Sequence, residues 1–77
     1  MNPTNYNNNL RPKLSCRQIE IVELIVNENT TREIANKLNL SKETITTHRN
    51  NIMIKLGVKS IAGIVREALV TKIIEIK

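Results

Sequence analysis

Thr46, Thr47 and Asn50 are the residues whose types and spacing suit a chemistry, and that chemistry is hydrogen bonding to base edges. Asn carries a donor beside an acceptor, the pair that matches adenine, and Thr carries a hydroxyl plus a methyl that can meet thymine. Near them stand Lys42, Arg49, Lys55 and Lys59, cations suited to phosphate oxygens. Other chemistries lack their parts. His48 is the single histidine, and no paired carboxylate at ligand spacing accompanies it, so no metal site and no general base is expected. It reads as a helix-flank residue packing near the core or a phosphate. Cys16 is the single cysteine, which rules out an internal disulfide and any resolving thiol and points to a reducing compartment. Two glycines are too few for a phosphate-cradling loop, and no Ser/His/Asp arrangement can be assembled. The chain is expected to be no enzyme and to need no cofactor.

The elements that must position these side chains lie in residues 30 to 57, which read as a short helix, a tight turn and a longer helix. Thr30 with Glu33 forms a capping box at the first helix, whose inner face carries Ile34 and Leu38, with Ala35 small enough for close approach. Asn39-Leu40-Ser41 makes the connection, Ser41 caps the second helix, and Leu40 staples onto Ile45. Gly57 suits the left-handed position that ends it. Two helices joined so closely form the unit that places a recognition helix in the major groove.

At about 100° per residue, Ile45, Ile52 and Leu56 share one stripe of the second helix, with His48 and Lys55 beside it. The opposite face presents Thr46, Thr47, Asn50 and Ile54. Arg49 falls toward the flank, where a groove wall would be. The unpaired N–H groups at the start of the helix led by Thr30 and Thr31 also suit a phosphate.

Composition bounds the setting. Seventy-seven residues with a net charge of +5 make one small domain attractive to a polyanion. The charge is uneven: Glu20, Glu23 and Glu28 gather before residue 30. Arg32, Lys37, Lys42, Arg49, Lys55, Lys59 and Arg66 follow it. Tyr6 is the single aromatic residue, which argues against single-strand binding by base stacking and for an aliphatic core. No apolar run is long enough to span a bilayer and no signal-peptide pattern is present, so a soluble, cytoplasmic protein without membrane contact is expected.

Residues 1–13 hold five Asn and two Pro and read as a disordered tail or linker before a domain over 14–77. The first helix opens with Ser15 and Gln18 as a capping box and Leu14 with Ile19 as a staple. Ile19, Val22, Ile25 and Val26 then recur at helical spacing, and Asn29 is the expected left-handed residue at its end. A fourth helix is expected from Ser60 to about Thr71, with Gly63 weakening its first turn. Its apolar residues cover more circumference than one core face requires. That surplus points to a second copy meeting Ile61, Val65, Ala68, Leu69 and Lys72, or else to a helix lodged deep in its own core.

From Leu14 to about Leu69 the chain resembles the LuxR/GerE type of bacterial helix-turn-helix domain, also called the NarL/FixJ output domain. The matching residues are Leu14-Ser15 and Arg17, Glu33-Ile34-Ala35, Leu38, Ser41, Thr44-Ile45, His48, Asn51-Ile52 and Lys55-Leu56-Gly57-Val58. The resemblance implies an all-α, four-helix domain with the third helix in the major groove and the fourth commonly forming a dimer. It places base contacts on Thr46, Thr47 and Asn50, and backbone contacts near Thr30, Thr31, Thr44, His48 and Lys55. Duplex DNA and a second copy are the implied partners, with RNA polymerase or a receiver domain beyond them. Thr46 stands where Lys or Glu is common, Gln18 where Glu is common, and Asn29 where Gly is usual. A free-standing regulator and the output half of a response regulator both fit, and a protein-interaction module retaining the fold is the alternative.

Overall fold

The computed structural model describes residues 14–71, which form α1 (Cys16–Val26), α2 (Thr31–Leu38), α3 (Lys42–Leu56) and α4 (Ile61–Val70) with no strand among them. The tail expected over residues 1–13, Lys72, and the continuation at 73–76 lie outside the described residues.

Every helix begins at a hydroxyl. Ser15, Thr30, Ser41 and Ser60 take extended backbone, and their side-chain oxygens accept from the N–H groups of Gln18, Glu33, Thr44 and Gly63 at 3.0–3.1 Å. Both expected capping boxes close: Gln18 Oε1 accepts from the Ser15 N–H at 3.0 Å, and Glu33 Oε1 from the Thr30 N–H at 2.7 Å.

The first three helices end alike, each with one residue at positive φ: Glu28 (67°), Asn39 (59°) and Gly57 (69°). The next residue then donates its N–H back to a carbonyl five positions earlier: Asn29 to Leu24 (3.0 Å), Leu40 to Ala35 (2.9 Å), Val58 to Met53 (3.0 Å). At α1 this corrects the expectation for Asn29. The left-handed residue is Glu28, and Asn29 spends its side-chain amide on the Leu24 carbonyl at 2.9 Å.

Ile21, Val22 and Ile25 of α1, Ile34 and Ala35 of α2, Ile45 and Ile52 of α3, and Ile64 and Ala68 of α4 make a wholly aliphatic core. Burying each branched side chain contributes about 1.5–3 kcal/mol against chain entropy. Two core assignments differ from the sequence reading. Ile21 is fully buried whereas Ile19 is half-buried, so the inner line of α1 runs through 18, 21, 22 and 25. Ala68, expected at a contact between copies, is fully buried inside its own chain and has no surface to offer another. Gly63 sits where α4 crosses the α3–α4 turn: a Cβ there would stand 2.7 Å from Val58 Cβ.

Candidate nucleic-acid interface

α3 is gripped from one side. Ile45 and Ile52 are fully buried and Leu56 is half-buried against the core, which fixes the rotation of the helix about its axis. That rotation leaves Thr46, Thr47, Asn50 and Ile54 exposed on the opposite side. The helix start is tied down by Ser41, whose oxygen takes the Thr44 N–H and lies 2.8 Å from Thr44 Oγ1.

Two long-range hydrogen bonds orient α3 against the rest. An Arg49 guanidinium nitrogen donates to Thr31 Oγ1 at 2.5 Å, joining the middle of α3 to the first residue of α2. Near the other end, Lys55 Nζ donates to Gln18 Oε1 at 2.9 Å, the same oxygen that closes the α1 capping box. Gln18 is accordingly the one polar side chain within the described core, 6% exposed, with its Oε1 accepting two hydrogen bonds. Arg49 Nε is buried and has no partner among the described residues.

The residues expected to touch phosphate fall into two groups. Thr30, Thr31 and Arg49 come together and line one cleft of about 370 Å³ with Ile25, Glu28, Asn29, Ile34 and Ile61. Thr44 and His48 are half-buried along α3, and Lys42, Lys55 and Lys59 are exposed along and beyond it. Among the described residues the ion pairs are Arg17–Glu20 (3.4 Å) and Arg66–Glu67 (3.3 Å), so no described carboxylate pairs with Lys42, Arg49, Lys55 or Lys59. Positive charge around α3 thus stays available to a polyanion. At the α2 start, hydrogen bonds from the Thr30 N–H and hydroxyl hold the Glu33 carboxyl below the usual glutamate range.

Of α4, Ile61, Val65 and Leu69 are half-buried, while Ala62 is exposed and Val70 is 66% exposed. No described helix is long and apolar enough to cross a membrane.

An all-α helix-turn-helix domain, its second unit helix bared on one polar line and ringed by cations, belongs to the class that regulates transcription by binding DNA. Residues 12–68 match the model of the bacterial regulatory proteins of the luxR family, and the chain belongs to that family. It is 44% identical over 59 residues to the spore germination protein GerE of Bacillus subtilis (strain 168), covering 77% of this chain and 80% of that protein. It is 47% identical over 57 residues to the uncharacterized response regulatory protein YgeK of Escherichia coli (strain K12), covering 74% of this chain and 39% of that one. To the oxygen regulatory protein NreC of Staphylococcus aureus (strain JH9) it is 44% identical over 62 residues, 80% of this chain and 29% of that one. It therefore spans most of GerE but well under half of the two longer regulators. No solved structure gave a significant match.

Proposed function

We propose that the chain is a sequence-specific, duplex-DNA-binding transcription regulator that acts in the cytoplasm as a dimer. α3 enters the major groove, where Thr46, Thr47 and Asn50 read base edges. Thr30, Thr31, Lys42, Thr44, His48, Arg49, Lys55 and Lys59 engage the sugar-phosphate backbone. The observation that carries this reading is the division of α3: Ile45 and Ile52 are 0% exposed while Thr46, Thr47 and Asn50 on the other side are bare. A helix so held presents three short polar side chains on rigid backbone, which is what base readout requires.

The dimer runs through the outer side of α4, using Ile61, Val65 and Leu69. Its support is an apolar surface that the chain leaves partly uncovered, continued by Val70. Two-fold symmetry then demands a repeated or palindromic site. YgeK, described as a response regulatory protein, supports a receiver domain as one partner, and RNA polymerase is proposed as the further one.

Selection from a random duplex pool tests the whole reading. The expected result is two related half-sites at fixed spacing, with affinity falling about 10³–10⁵-fold between 50 and 200 mM salt for a dimer contacting about eight phosphates. A pool that stays random, or binding indifferent to salt, would overturn it.

A further inference from the structure

We propose that Ile54 is a specificity-determining residue that packs against the 5-methyl group of a thymine. The inference rests on the docking of α3 proposed above. Ile54 is 77% exposed, more than any other large apolar side chain described. It lies four residues beyond Asn50 and seven beyond Thr47, on the same line of the helix and directly away from Ile52 and Leu56. Being β-branched, it is stiff at χ1 in a helix, so little freedom is lost when it makes a contact.

Its surroundings decide what it meets. Thr47, Asn50, Asn51 and Lys55 around it are all exposed and polar or charged, with Lys59 beyond. A protein interface would surround such a residue with further apolar surface, whereas a polyanion suits isolated apolar contact among cations. The apolar group that the major groove offers is the thymine methyl. Four residues of helix rise about 6 Å, or about two base steps at 3.4 Å each. The thymine therefore falls within about two steps of the base pair that Asn50 reads.

The test uses the full 77-residue chain and the duplex that it selects from a random pool. Each thymine is replaced in turn by deoxyuridine, which deletes the methyl alone. Wild-type protein should lose about fourfold in affinity at one position per half-site, the worth of one buried carbon. Ile54→Ala should bind the thymine duplex about fourfold more weakly and be indifferent to that one replacement while answering to every other. Thr47→Ser, which lacks its own methyl, should keep the Ile54 response. Equal responses from wild type and Ile54→Ala would overturn the assignment, as would a change of oligomeric state in Ile54→Ala without DNA, which would make the residue a protein contact. A selected site with no responsive thymine overturns the assignment alone; a pool from which nothing is selected overturns the DNA reading with it.

Discussion

α3 and α4 each turn one side to the core and one to solvent, and their solvent sides are made differently. On α3 the division is sharp: fully buried isoleucines oppose a line of short polar side chains, with Ile54 its single large apolar member. On α4 the apolar character runs around the helix, from Ile64 and Ala68 in the core through Ile61, Val65 and Leu69 at the margin to Val70 in the open. A helix whose exposed line is polar loses nothing in water and gains from a partner rich in hydrogen-bonding edges. A helix whose margin is apolar gains most from another apolar surface. One small domain thus carries two surfaces suited to different kinds of partner, on adjoining helices.

The comparison breaks most readily at the inner side of α3. Ile52→Ala removes a fully buried side chain and should cost about 2–5 kcal/mol in denaturant unfolding, a large part of the total of a domain this small. Asn50→Ala, two positions away, should leave the unfolding midpoint where it was yet cost about 1–3 kcal/mol on the selected duplex, sparing non-specific binding. Comparable destabilisation by both substitutions would erase the division of α3. For α4, Val65→Glu or Leu69→Glu should weaken self-association at least tenfold in sedimentation, about 1.4 kcal/mol, with the helical signal intact. An unfolded product would return those residues to the core. Glu28→Gly should raise the stability read in denaturant unfolding by about 1 kcal/mol by relieving a left-handed conformation that a side chain disfavours, and removing its negative charge from the cleft it shares with Thr30, Thr31 and Arg49 should tighten DNA binding rather than weaken it.

The smallest effect is set by pH. The Glu33 carboxyl, held low chiefly by the Thr30 N–H, stabilises the start of α2 above the usual glutamate range. Its contribution is lost as pH falls through the depressed value. Glu33→Gln should flatten that acid limb in a thermal-melt series, and an unaltered limb would show that another carboxyl sets it.

The helix starts were legible because the signal is local: hydroxyls at Ser15, Thr30 and Ser41 cap as expected, and Ser60, read as the start of the fourth helix, is its cap. The outward line of α3 was legible for the same reason, since rotation alone separates Ile45 and Ile52 from Thr46 and Asn50. The phase of α1 was harder. Positions 18, 21, 22 and 25 are a regular helical stripe, but its first member is Gln18, and a polar letter hid the pattern. The left-handed Glu28 was missed because local preference names Asn there, whereas Asn29 serves Leu24 instead. Nothing local announces the bond between Arg49 and Thr31, eighteen positions apart, or the burial of Ala68, which depends on where α4 docks. Long-range geometry is a property of the assembled helices, not of any window of sequence.

The doubly used oxygen of Gln18 has a kinetic consequence. It accepts from the Ser15 N–H locally and from Lys55 across 37 positions. Opening α3 away from α1 removes the distant donor and exposes Gln18 to water, which then competes for the oxygen that holds the Ser15 N–H and loosens the first turn of α1. Hydrogen exchange at the Ser15 amide would then follow the seating of α3 rather than the fraying of α1. A single backbone proton, far along the chain from the exposed line of α3, would serve as a native gauge of whether that helix is in place.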